Sequence, residues 1–108
     1  MVVIEKQDVA LRRDKGGVLR VGKSRVTLDT VIAQFHEGAS PEEIALRYPS
    51  LQLADLYSVI AYYLNHRRDL DAYLEERARQ GDQNEREARA RPEVQMLRER
   101  LLARQPNH

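Results

Sequence analysis

Gly38-Ala39-Ser40-Pro41-Glu42-Glu43-Ile44-Ala45-Leu46-Arg47-Tyr48-Pro49-Ser50-Leu51 is the stretch whose reading decides the fold. Ser40 followed by Pro41, with Glu43 three residues after the serine, is a helix start: the serine side chain accepts from the backbone of Glu43, and the glutamate reaches back to the amide of Ser40. The helix that begins there is short and buries Ile44, Ala45 and Tyr48. It must stop before Pro49, because proline disfavours helical geometry in the residue preceding it. A tight turn at Pro49-Ser50-Leu51 follows.

Helical spacing resumes on both sides of this element. Downstream, Leu53 to Asn65 carries Leu53, Leu56, Ile60, Tyr63 and Leu64 along one stripe, with Tyr57 and Tyr62 flanking it. Upstream, Leu28, Val31, Ile32 and Phe35 recur at helical spacing, Thr27 is placed to cap that helix, and Gly38 ends it. Three apolar helical faces close one small core, in the order and with the tight turn of a helix-turn-helix. The predicted fold is therefore mainly α: a three-helix, helix-turn-helix core with a short N-terminal β arm and a C-terminal helical extension.

Residues 1–27 form the arm. Short apolar runs at Val2 to Ile4, Val9 to Leu11 and Val18 to Val21 surround Gly16-Gly17 and suggest short strands around a hairpin turn, too few for an independent sheet. The core occupies 28–75, with Asp69 a possible cap for a fourth helix carrying Leu70, Tyr73 and Leu74. The segment 76–108 is a charged tail. Glu75 to Arg91 has almost no large apolar residue and is interrupted by Gly81, so it is expected to be helical only marginally, or disordered alone. Beyond Pro92, Val94, Leu97 and Leu101 recur at i, i+3 and i+7, a short amphipathic helix in want of a partner surface.

The chain of 108 residues has the size of one domain. It contains no cysteine, which closes disulfide, thiolate and cysteine-zinc chemistry. No apolar run approaches the roughly 18 residues of a membrane span, and Met1 to Lys6 lacks the pattern of a signal peptide, so a cytoplasmic location away from membranes is expected. The net charge of +1 hides an asymmetry: residues 1–25 hold seven Lys or Arg against three acids, a local excess of four, whereas 69–108 balance eight Arg against nine acids.

Several motifs invite chemistry. Gly17 to Ser24 satisfies the spacing of a phosphate-binding loop, but that mechanism needs a buried strand before the loop, a helix starting at Lys23-Ser24 and a magnesium-binding Asp on a second strand, none of which the surroundings supply. His36 and His66 lack a carboxylate or second histidine one turn away, so they read as structural rather than metal-binding. Glu42 and Glu43 are explained by capping and the helix dipole. Tyr57, Tyr62, Tyr63 and Tyr73 are better core or dimer contacts than a base-stacking platform. No catalytic residue, metal ligand or cofactor is assigned, and the chain is read as a non-enzyme.

Binding surfaces remain. The third helix offers Gln52, Asp55, Ser58 and Asn65 but no cation before Arg67-Arg68, which makes it a poor reader of DNA. If DNA is bound, Arg12, Arg13, Lys15, Arg20, Lys23 and Arg25 of the arm are the better phosphate contacts. In the tail, Arg77, Arg79, Arg86, Arg89 and Arg91 suit capture of a partner's carboxylates, with Val94, Leu97 and Leu101 as the apolar contact. Against that stands a solvated Arg/Glu helix laced with pairs one turn apart.

The run Gly22-Lys23-Ser24-Arg25-Val26-Thr27-Leu28-Asp29, then Phe35-His36-Glu37-Gly38-Ala39-Ser40-Pro41-Glu42-Glu43-Ile44 and Tyr48-Pro49-Ser50-Leu51, continuing through Leu56 to His66, resembles the bacterial family catalogued as domain of unknown function 433. The resemblance spans roughly residues 16–75. Where that family usually shows Gly-Thr-Arg, this chain has Gly22-Lys23-Ser24-Arg25. The family is similar to homeodomain-like helix-turn-helix proteins and is often regarded as VapB-type antitoxins encoded beside small PIN-like nuclease toxins. The resemblance implies an antitoxin that neutralises such a ribonuclease, represses its own promoter DNA and forms a homodimer. The alternatives are a stand-alone DNA-binding regulator and a non-catalytic homo-oligomer.

Overall fold

The computed structural model describes residues 1–90 and 92–104, with backbone alone for 92–95 and 103–104. It is mainly α: β1 (Leu11–Arg13), β2 (Leu19–Val21), α1 (Leu28–His36), α2 (Pro41–Arg47), α3 (Leu53–Asn65), α4 (Arg67–Ala90) and α5 (Pro92–Arg104). Residues 1–70 form one compact unit and 71–108 a second.

The helix boundaries follow from local chemistry. Thr27 accepts from the amide of Thr30 and opens α1, and Gly38, at φ +97°, takes the left-handed conformation just past its end. Ser40 and Glu43 form the reciprocal capping box of α2 with Pro41 at its first position. The turn to α3 is closed by Leu51, whose amide donates to the Tyr48 carbonyl at 2.9 Å and whose side chain is buried.

Val21, Leu28, Val31, Ile32, Ile44, Leu51, Leu56, Val59, Ile60 and Tyr63 make the core of the first unit. The α3 face that turns inward is Leu56, Val59, Ile60 and Tyr63. It does not include Leu53 and Leu64, which are 40% and 51% exposed. The helix carries two overlapping apolar stripes, and the core takes the one centred on Val59. Ala45 and Tyr48 are half-buried rather than buried.

β1 and β2 pair antiparallel, with Leu11 opposite Val21, Arg12 opposite Arg20 and Arg13 opposite Leu19. Val21 drops into the core and ties the hairpin to the helices. Val2 to Ile4, expected as strand, is exposed and without secondary structure, since no neighbouring strand among the described residues accepts its backbone.

Two expectations for the C-terminal half are corrected. α4 starts at Arg67, ahead of an Asp69 cap, because the Leu70 amide already donates to the His66 carbonyl at 3.0 Å. It then runs unbroken through Gly81 to Ala90. A glycine costs a helix interior about 1 kcal/mol relative to alanine and does not by itself stop it. Pairs one turn apart, Glu76 with Arg79 and Glu85 with Arg89, support the stretch instead of apolar burial.

Candidate functional site

The six basic residues of the arm separate into two groups. Arg12 donates from Nε to the Gly22 carbonyl at 3.0 Å and from Nη2 to the Ser24 carbonyl at 2.6 Å. Arg13 donates to the Gly17 carbonyl at 3.1 Å. Arg20 pairs with Asp14 at 2.9 Å and also donates to the Arg25 carbonyl. Lys15, Lys23 and Arg25 are exposed, and none forms an ion pair among the described residues.

Asp14 organises the hairpin tip. Its Oδ1 accepts from the amides of Gly16 and Val18, at 2.8 and 3.0 Å, and its Oδ2 accepts from Arg20. The Val18 amide, then the Arg20 guanidinium, hold this carboxyl below the usual carboxylate range.

Gly17 to Ser24 is not a phosphate cradle. The Ser24 hydroxyl donates to the Val21 carbonyl at 2.7 Å and accepts from the Val26 amide at 3.1 Å, and Ser24 is buried. α1 begins only after Thr27. The glycine-lysine-serine run builds a turn that consumes its own polar groups.

The arm meets α3 at Ser58 and Asp55. Ser58 Oγ accepts from the Ala10 amide at 3.4 Å, and Ala10 in turn accepts from the Gly22 amide at 2.8 Å. Gln7 and Val9 line a groove with Tyr57, Ser58, Ala61 and Tyr62. Asp55 stands against Gly22, its Oδ2 only 2.7 Å from where a Cβ would sit. Tyr57, Ala61 and Asn65 on this side of the helix stay exposed, and the helix carries no cation among them.

The tyrosines do separate jobs. Tyr63 is buried and its hydroxyl lies 2.9 Å from His36 Nε2. Tyr62 stacks on His66, centroids 4.0 Å apart, while His66 Nδ1 donates to the Tyr62 carbonyl at 3.0 Å. Both histidines therefore have structural partners, and no cluster of three His, Cys, Asp or Glu suited to a metal occurs among the described residues.

Tyr57 donates to Glu42 Oε1 and couples α3 to the first turn of α2. The Tyr57 hydroxyl is the main cause that holds the Glu42 carboxyl below its ordinary value, and Glu42 pushes the phenol up. A depressed carboxyl contributes stability above its unfolded-state pKa that is lost as pH falls through the folded value. A raised phenol contributes below its unfolded-state pKa and loses it as pH rises through the folded one. Tyr57→Phe should return the Glu42 titration toward that of an ordinary glutamate, followed by carboxyl-carbon NMR; an unmoved midpoint would exclude the contact.

In the second unit, Arg79 pairs with Glu76 at 3.1 Å and Arg89 with Glu85 at 2.5 Å, both on exposed helix. Gln83 donates to Glu87 at 3.1 Å. Arg77 is half-buried and Arg86 is exposed. On α5, Leu97 and Leu101 are 57% and 55% exposed, with Met96 and Leu102 also uncovered. Arg91 and the side chain of Val94 lie outside the described residues. Sequence reasoning treated the tail arginines alike; the pairing of Arg79 and Arg89 was legible from the acids three and four residues before them.

Residues 15–63 match the family described as a protein of unknown function, DUF433. The match begins at the hairpin tip and ends at Tyr63 within α3, so α4 and α5 lie beyond it. No curated protein and no solved structure matches the chain.

Proposed function

With a family of unknown function matched over residues 15–63, we propose that this chain is an antitoxin-like binding protein whose C-terminal helices hold a small PIN-like ribonuclease inactive. The observation that carries this reading is the uncovered apolar row on α5. Leu97 and Leu101, with Met96 and Leu102, leave a helix of thirteen residues with its apolar side in water, an arrangement that a partner's groove would bury.

The chemistry of inhibition follows from the arginines. A magnesium-dependent nuclease gathers carboxylates around its metal, and a guanidinium placed among them pairs bidentately and competes for the same oxygens. Arg86 is exposed for that purpose. Arg79 and Arg89 are held only by exposed pairs one turn apart, worth about 0.3–0.5 kcal/mol each, and exchange readily for a partner's acid.

Affinity isolation of the full chain from its host at moderate salt, followed by mass spectrometry and an RNA-cleavage assay, tests the reading. The expected result is a stoichiometric small nuclease, silent in the complex and active once separated. Recovery of the chain alone, or of a nuclease whose cleavage is unchanged, overturns it. Truncation after Gly81 should abolish neutralisation while leaving residues 1–70 folded; a truncated chain that still protects cells removes the tail from the mechanism.

A further inference from the structure

Beside α3 the first unit holds an open groove of about 580 Å³. Tyr57 and Tyr62 line it together with Ser58 and Ala61, and Gln7 and Asn65 bring two side-chain amides to it. On a helix of 3.6 residues per turn Tyr62 stands about 140° around from Tyr57, with Ala61 at about 40° and Ser58 at about 100°, so the two rings flank a low strip. None of the described residues that line the groove is charged, so it suits a neutral ligand.

Both rings are held before any ligand arrives. The Tyr57 hydroxyl donates to Glu42, and Tyr62 stacks on His66 with the ring planes 19° apart. Walls fixed in advance lose little freedom on binding. Five residues of helix separate the two backbone positions by about 7.5 Å along the axis and about 4 Å across it, about 9 Å in all. A polyproline II helix rises about 3.1 Å per residue with three residues per turn, and so returns to the same face every 9 Å or so. A β-strand returns at about 7 and 13 Å, and an α-helix at about 5 and 11 Å, so neither brings successive side chains of one face onto both rings.

The polar groups agree with this spacing. A polyproline II segment has no internal hydrogen bonds, and its prolines have no amide proton, so its backbone offers acceptors. The Gln7 and Asn65 amides are donors, and Ser58, whose Oγ accepts from the Ala10 amide, keeps its own proton to give to a carbonyl. An α-helical ligand would spend its carbonyls internally and leave these donors unanswered.

We propose that the groove between Tyr57 and Tyr62 binds a proline-rich segment of a partner protein in the polyproline II conformation, with prolines three residues apart against the two rings. The residues that form it all belong to the first unit, so the proposal stands apart from the C-terminal helices and any nuclease they hold.

Titration of the full nitrogen-15-labelled chain with a decaproline peptide, followed by amide NMR, tests the proposal. The Ser58, Ala61 and Asn65 signals should shift saturably with a Kd below about 1 mM. Between about 50 and 500 mM salt the affinity should stay within about twofold, because no charge lines the groove. Of two peptides of equal composition, the one with prolines three residues apart should bind more tightly than the one with prolines four apart. Tyr57→Leu/Tyr62→Leu, which removes the rings and keeps apolar bulk, should weaken binding by about tenfold or more. Ala61→Arg fills the strip from an exposed helical position where arginine is well tolerated, so it should weaken binding as much with an unchanged thermal melt, and it carries the test if the ring variant fails to fold. No shift at about 1 mM peptide, shifts confined to other residues, an Ala61→Arg chain that binds as the parent does, or tighter binding of an amphipathic helical peptide in the groove each overturns the proposal.

Discussion

Tyr63→Ala should lower the unfolding free energy of the first unit by about 3–5 kcal/mol, the range for deleting a buried aromatic ring. Tyr63 is fully buried on α3 and meets three partners at once. Phe35 and His36 of α1 pack edge-on at centroid distances of 6.4 and 5.7 Å, and the Arg67 guanidinium lies 5.5 Å from the ring centroid. Total stability for a unit of this size is on the order of 5 kcal/mol, so the variant should retain at most about 2 kcal/mol and unfold at far lower denaturant than the parent. Tyr63→Phe separates ring from hydroxyl: losing only the hydrogen bond to His36 should cost about 1 kcal/mol. Urea titration of both variants checks the argument, and equal losses would place the energy in the hydroxyl rather than the ring.

Gly22→Ala should cost about 2–5 kcal/mol from two separable causes. The backbone sits at φ +56°, where a Cβ costs about 1–2 kcal/mol. The added carbon would also lie 2.7 Å from Asp55 Oδ2, an overlap that forces the carboxylate off its position at a further cost of about 1–3 kcal/mol. Asp55→Ala in the same chain removes the overlap and keeps the backbone cost, so the double variant should recover roughly half the loss by denaturant titration. Without recovery, the close approach of α3 to the hairpin base plays no part in stability.

These two positions show what a sequence conveys and what it withholds. The capping box at Ser40 and Glu43 and the Thr27 cap were legible because local hydrogen bonding decides them, and the bounds of α3 at Leu53 and Asn65 because its apolar spacing starts and stops there. Tyr63 stood on either stripe of α3 and was read correctly as core. Val59 was missed in favour of Leu53 and Leu64, since periodicity cannot choose between overlapping stripes until the facing helices are known. The approach of Asp55 to Gly22 and the use of Arg12 as a backbone clamp arise from contacts across the chain, and nothing in their own neighbourhoods announces them. The continuity of α4 through Gly81 was underestimated because propensity counts the glycine but not the accumulated pairs around it.

Gly81 bears on how the C-terminal half behaves in time. From Glu75 to Ala90 no side chain is buried, and one position combines the greatest backbone freedom with no side-chain contact. Opening this stretch exposes almost no new apolar surface, so its amides exchange with solvent through small local openings, while those behind Tyr63 wait for the whole unit to unfold. The distal turns of α4 therefore act as a built-in occupancy gauge: deuterium uptake there is fast in the free chain and slows in proportion to any ligand that holds the helix closed.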